Sequence, residues 1–352
     1  MRMTMKVFLI AAAIMAAFTP GILEAEGVKG GVYMNGRQIG GPVVMETETA
    51  PADVTFHANR GAGGIPMPDK SSDTALQTML RETLGKFQTF NYADKETGLS
   101  VPYNLYLPEN YDSAKKYPMI VFIADASVVG KETDAPLRQG YGGIIWATTE
   151  EQSQHECLVL VPEYPGVIID DHGEHTTTAY VPLTERLIRS VAEKYSVDKD
   201  RIYATGQSMG CMTLMLLAAR HPELFAAELF VSGQWDVNEL GGLGTQTFFY
   251  VAAEGDDKAS AGQRELMEKF QRDGVPFTRS FGWDARMSQE SFAKPVASAL
   301  SEKRAANFAQ FRLGTVLPEG MEPGVSEHMF SFDFAYKIDA LRNWLFEQKL
   351  KR

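Results

Sequence analysis

A serine between two glycines sits where the character of the chain changes. Arg201-Ile202-Tyr203-Ala204-Thr205 reads as a short strand and runs directly into Gly206-Gln207-Ser208-Met209-Gly210. Beyond it, 209–220 repeats apolar residues three and four apart, the spacing of a helix packed against a core. A serine at a strand-to-helix turn takes a strained backbone conformation that pushes its hydroxyl out, and glycines two residues to either side leave room for the chain to turn sharply. The helix that follows aims its first amides at the point where negative charge develops on a substrate carbonyl oxygen. That is the chemistry of acyl transfer through a nucleophilic Ser208. With 31 glycines in 352 residues the Gly-x-Ser-x-Gly string alone is weak, so the strand, turn and helix around it carry the argument.

Such a serine needs a scaffold, and the surrounding chain supplies one. From about residue 87 onward, apolar strand-like segments alternate with amphipathic helical ones, the signature of an α/β fold with a mostly parallel sheet covered on both faces. Eight strands are expected, at 87–92, 101–107, 118–124, 157–162, 201–205, 227–232, 246–253 and 276–282. Helices are expected among others at 181–195, 209–220 and 334–348. In the last of these Ile338, Leu341, Trp344 and Leu345 share one face, while Lys337, Asp339, Arg342 and Glu347 fall away from it. Residues 26–85 read as an irregular extension or small β appendage, with glycine patches at 27–31 and 61–64. Within it, Met34-Asn35-Gly36-Arg37 reads as a tight hairpin turn.

Three stretches together carry a resemblance: Tyr117-Pro118-Met119-Ile120-Val121-Phe122, the turn around Ser208, and Ala219-Arg220-His221-Pro222-Glu223-Leu224-Phe225-Ala226-Ala227. Over roughly residues 87–350 the chain resembles α/β-hydrolases of the secreted esterase branch related to polyhydroxybutyrate depolymerases and feruloyl esterases, a branch often labelled "predicted peptidase". The resemblance implies an eight-stranded α/β-hydrolase sheet and a triad in the chain order Ser, acid, His. The base must then sit in a loop at the carboxyl edge of the sheet, after the acid and ahead of the final helix, which selects His328. His57 precedes the catalytic region, His155 precedes a strand and His221 closes a helix in a His-Pro pair. The acid is expected after the strand 246–253, where Glu254-Gly255-Asp256-Asp257-Lys258 offers two aspartates. Asp256, next to the turn glycine, is preferred, with Asp257 and Asp236 as alternatives. The oxyanion donors are expected to be the backbone amides of Met209 and Ala126, the latter in Ala124-Asp125-Ala126-Ser127, where such esterases usually carry His-Gly-Ala-Gly-like residues. Trp235 is a candidate substrate-facing aromatic, and its competing reading is a core or lid tryptophan.

Composition narrows the remaining choices. Hydrophobic residues make up 44% and charged residues 22% of the chain, as in ordinary globular proteins. A formal charge of -11 with no basic run argues against nucleic acid as a partner. Met1-Arg2-Met3-Thr4-Met5-Lys6, an apolar run over 7–18 and Thr19-Pro20-Gly21 form a signal-peptide pattern, with cleavage expected after Ala25. The expected organisation is therefore a leader at 1–25, the extension at 26–85 and a catalytic domain at 86–352 of a secreted or periplasmic protein. No stable membrane anchor is expected. Only Cys157 and Cys211 are present, which excludes a disulfide framework; two buried free thiols are expected, with a single bridge as the alternative. Asp170-Asp171-His172-Gly173-Glu174-His175 contains ligand residue types but lacks a second cluster, so neither a metal nor a cofactor is expected.

The expectation is thus a serine hydrolase that cleaves carboxylic esters, small or polymeric, through an acyl-enzyme on Ser208. Two other readings stand beside it: a serine peptidase of the prolyl-oligopeptidase-like type with the same triad, and a non-catalytic binding module that retains the fold, suggested by the altered 124–127 loop.

Overall fold

A computed structural model of the chain describes residues 33–34, 37–38, 67–321 and 325–350. The expected leader and both glycine patches lie outside the described residues. Tyr33–Met34 and Arg37–Gln38 pair antiparallel, as expected of strands flanking a hairpin turn.

The first helix, α1 (Thr74–Thr83), is capped by Asp73, whose carboxylate accepts the Leu76 amide. It falls in the stretch expected to be irregular. Leu76 and Leu80 are buried in the same hydrophobic cluster as Ile120 and Phe122, so this part of the extension is packed onto the main domain.

Nine strands form the central sheet: β1 (Gln88–Ala93), β2 (Ser100–Tyr106), β3 (Tyr117–Ile123), β4 (Leu158–Pro162), β5 (Val197–Gln207), β6 (Ala227–Val231), β7 (Phe248–Ala253), β8 (Phe277–Trp283) and β9 (Ala306–Phe311). Their spatial order is β8-β9-β7-β6-β5-β3-β4-β2-β1. Only β2 runs against the rest, pairing antiparallel with both β1 and β4. Ladders among the other neighbours are parallel. Eight strands fall where the sequence places them, and β9 raises the expected count from eight to nine. Its sequence, Ala-Asn-Phe-Ala-Gln-Phe, breaks the apolar run that marks a buried strand. The structure shows why the polar residues are tolerated: Asn307 is buried, and its side-chain amide donates to the carbonyls of Phe248, Arg304 and Ala305.

Burial follows position in the sheet. All seven residues of β3 are buried, because helices cover both faces. Edge strand β1 shows no buried residue and alternates between exposed and half-buried positions along its second half. On one face lie α2 (Tyr180–Lys194), α3 (Met209–Arg220) and α4 (Asp257–Asp273), which bury Leu187, Leu214 and Leu266 against Met119, Val121 and Phe230. On the other lie α1, α5 (Gln289–Ser301), α6 (His328–Lys337) and α7 (Asp339–Phe346), packed on Ile120, Phe122 and Val251. The single terminal helix expected at 334–348 is two helices, broken at Ile338, whose backbone is extended (ψ 99°). Arg342 spans the break: its guanidinium turns back to the Tyr336 carbonyl while pairing with Glu151 and Asp339. No helix among the described residues is long and apolar enough to cross a membrane.

Candidate active site

The site lies where β3, β5, β6 and β7 end, since a parallel sheet brings the loops after neighbouring strands together at one edge. Ser208 follows β5 directly and precedes α3, with φ 50° and ψ -117°. It is one of three non-glycine residues with positive φ among those described. That conformation is costly for an L-residue and turns the side chain away from both strand and helix. The flanking glycines serve packing more than turning, since neither has positive φ. A Cβ on Gly210 would stand 2.0 Å from the Ile123 carbonyl oxygen, and one on Gly206 would stand 2.8 Å from the same oxygen. Without side chains there, the start of α3 can lie against the end of β3.

That close approach places the 124–127 loop beside the serine. The Met209 amide, at the first position of α3, has no partner within its helix. Neither it nor the Ala126 amide donates to another described residue. Among the described residues, the two N–H groups that the sequence nominates as oxyanion donors are thus without a partner.

The imidazole of His328 bridges the loops after β5 and β7. Its Nε2 lies 2.8 Å from Ser208 Oγ, and its Nδ1 lies 2.7 Å from Asp256 Oδ2. Asp256 is also the N-cap of α4, its Oδ1 accepting the Ala259 amide at 3.2 Å, so one oxygen anchors the carboxylate while the other faces the imidazole. Asp257 is exposed on the first turn of α4. Asp236 is engaged with the amide and side chain of Asn238. Of the three aspartates considered, the structure brings only Asp256 to the imidazole. Burial opposes a charge on His328, but the Asp256 carboxylate, its hydrogen bond, and the more distant Asp125 and Asp171 outweigh it and raise the imidazole pKa above its ordinary value.

Glu327 went unnoticed in the sequence, where an acidic residue beside a histidine has no signature. Fully buried, it takes the Gly255 amide on Oε2 at 2.9 Å and the Gly314 amide on Oε1. Its own amide returns a bond to the Gly255 carbonyl at 3.1 Å. The residue before His328 is thereby stapled to the residue before Asp256. A Cβ on Gly255 would come within 2.6 Å of Glu327 Cδ, so the staple requires that glycine. Burial pushes the Glu327 carboxyl up, opposed by the two amides and supported by Glu254 and Asp256.

Trp235 is 2% exposed and packed in the core, with the His175 ring edge-on to it at 4.8 Å. Its competing reading as a core tryptophan fits this position. The acidic loop forms a short hairpin, Ile169–Asp170 with Thr176–Thr177. Asp170, Asp171 and His172 offer ligand atoms within 4.8 Å of one another. They are already engaged: His172 Nδ1 is 2.8 Å from Asp170, and Asp171 takes Lys258 at 2.9 Å and the Gln234 amide. These bonds clasp the hairpin to the loop after β6 and to α4 beside Asp256. Cys157 and Cys211 are free, buried, and packed on opposite faces of the sheet.

The chain is similar to known proteins. The acetylxylan esterases A of Aspergillus ficuum and Aspergillus awamori are each 26% identical over 152 residues, 42% of this chain and 46% of theirs. The chain thus spans about half the length of the curated relatives it matches. Among solved structures, a thermostable esterase superposes with a TM-score of 0.60 at 24% identity, covering 76% of this chain and 64% of that one. A feruloyl esterase module from Clostridium thermocellum, solved with sinapinate, superposes with a TM-score of 0.51 at 14% identity, over 87% and 98% of the two chains. Both share the fold, an α/β-hydrolase sheet flanked by helices. A family model described as "Putative esterase" matches residues 95–313, well over half of the 352-residue sequence. The chain belongs to that esterase family.

Proposed function

We propose that this protein is an exported serine esterase that hydrolyses carboxylic esters through a covalent acyl-enzyme. The observation that carries the reading is the unbroken line from Ser208 Oγ to His328 Nε2 at 2.8 Å and from His328 Nδ1 to Asp256 at 2.7 Å. In this reading His328 Nε2 takes the hydroxyl proton as Oγ attacks the ester carbonyl. Asp256 stabilises the imidazolium, and the amides of Met209 and Ala126 hold the negative oxygen. Collapse expels the alcohol, which leaves with the proton from Nε2. Water repeats the sequence in reverse and frees the acid and Ser208. No other group is required for either half.

Relatives named for acetylxylan and feruloyl ester cleavage support substrates in which a small acyl or cinnamoyl group esterifies a carbohydrate hydroxyl. The leader-like 1–25 segment supports export, ahead of the 26–85 extension and the catalytic domain. A panel of p-nitrophenyl acetate, methyl ferulate and acetylated xylan, set against peptide amides, tests the reading. Ester turnover should fall by about 10⁴-fold or more in Ser208→Ala, with unactivated amides left intact. Ester turnover that survives that substitution would rule out Ser208 as nucleophile, and comparable turnover of amides would favour a peptidase.

A further inference from the structure

An aspartate sits in the loop that supplies the second oxyanion donor, where a negative charge is at first sight unwelcome. Asp125 is 2% exposed and does not point freely at the site. Its Oδ1 accepts the Ser127 amide at 2.7 Å, bridging over Ala126 in the manner of an Asx turn. Its Oδ2 accepts the side-chain amide of Gln207, the residue before the nucleophile, at 2.8 Å. The same Gln207 nitrogen also donates to Gln139 Oε1 at 2.9 Å, and Gln139 Nε2 donates to Ser127 Oγ at 2.8 Å. Lys70 closes the outer end, donating to the Gln139 carbonyl at 2.9 Å while paired at 2.7 Å with Asp333 of α6, the helix that begins with His328. A continuous polar network therefore joins the residue before Ser208, both neighbours of Ala126 and the helix carrying the imidazole.

We propose that Asp125 is a positioning residue for the oxyanion hole: clamped between the Ser127 amide and the Gln207 side chain, it fixes the turn that aims the Ala126 N–H at the reacting carbonyl. The clamp replaces backbone freedom with side-chain hydrogen bonds. A small residue at 126 can then present its amide without a glycine-rich loop. Both carboxylate oxygens are occupied by donors, which moderates the repulsion of a developing oxyanion. The charge that remains favours protonated His328, alongside Asp256 and Asp171. The inference rests on the serine esterase reading above.

Steady-state kinetics on p-nitrophenyl acetate test it, with affinity for a boronic acid, which forms a tetrahedral anion on the serine, as second readout. Asp125→Ala should lower kcat by about 10²-fold, as loss of one oxyanion donor does, and weaken the boronic acid comparably while KM stays within about threefold. Asp125→Asn keeps an acceptor for the Ser127 amide and should stay within roughly tenfold of wild type, with the acid limb of its pH profile moved to lower pH. Gln207→Met, which keeps volume but removes the donor to Asp125, should lower kcat in the same sense; it serves if Asp125→Ala does not fold. A folded Asp125→Ala with kcat within about threefold of wild type would overturn the proposal, as would equal losses in the Ala and Asn variants or an unchanged kcat in Gln207→Met. Ser208→Ala separates the two levels. If it keeps ester turnover, the esterase mechanism fails; if it is inactive while Asp125→Ala is unimpaired, only the positioning role fails.

Discussion

Activity is expected to follow the protonation of one imidazole. In the proposed mechanism His328 must be neutral to take the Ser208 proton, yet Asp256, Asp125 and Asp171 together favour its charged form over the penalty of burial. The folded pKa is therefore above the ordinary 6.5, and the active neutral fraction appears only as pH rises through that higher value. The kcat/KM profile is expected to rise with a midpoint above 6.5, and removing the Asp256 charge in Asp256→Asn is expected to lower both the midpoint and, by about 10³–10⁴-fold, kcat. A wild-type midpoint below 6.5, measured by the pH dependence of ester hydrolysis, would contradict this electrostatic reading.

Between elements, the decisive contact is the close approach of α3 to β3. Gly210→Ala places a methyl carbon 2.0 Å from the backbone oxygen of Ile123, which cannot swing aside as a side chain would. The expected cost lies at or beyond the upper end of the ~1–3 kcal/mol typical of overpacking, with activity lost because the 124–127 loop is pushed from Ser208. Urea denaturation and ester assays check this; a variant of unchanged midpoint and activity would show that the approach is not required. The strand and helix around Ser208 are readable because apolar period and turn glycines coincide there, and His328 because it is the one histidine that follows the acid in the sequence. Asp256 was separable from Asp257 only in three dimensions, since helix capping decides which of two adjacent carboxylates faces the imidazole. Strand β9 was hidden by Asn307, and the break at Ile338 by an arginine whose partners lie far apart in sequence. Asp125 and Glu327 act through backbone amides brought close by folding, a role that no local spacing encodes.

For the molecule as a whole, the most exceptional feature outside the site is Glu228, the second residue of β6. It is fully buried, and neither carboxylate oxygen has a hydrogen-bond partner among the described residues. Burial alone raises its pKa well above 4.5, so the folded protein holds it protonated. The sign follows from proton binding: once pH exceeds 4.5 the unfolded chain releases this proton and the folded one keeps it, so stability falls as pH rises towards the folded pKa. The slope approaches about 1.4 kcal/mol per pH unit for one such group. Glu228→Gln removes this titration and is expected to flatten the loss of stability above pH 4.5, read from urea midpoints across pH. An identical pH dependence in wild type and variant would mean that the carboxyl finds a partner or ionises in place. The thiols follow the same logic, since burial raises both Cys157 and Cys211 far above their ordinary range and the sheet separates them.

In the proposed mechanism acyl groups pass through the hydroxyl at position 208. Rapid acid quench during turnover of a slowly deacylating p-nitrophenyl ester, followed by peptide mass spectrometry, reads this directly. One acyl adduct is expected on the peptide containing Ser208, formed in the native enzyme and strongly diminished in His328→Ala. Turnover with no adduct, or with the adduct on another residue, would contradict it.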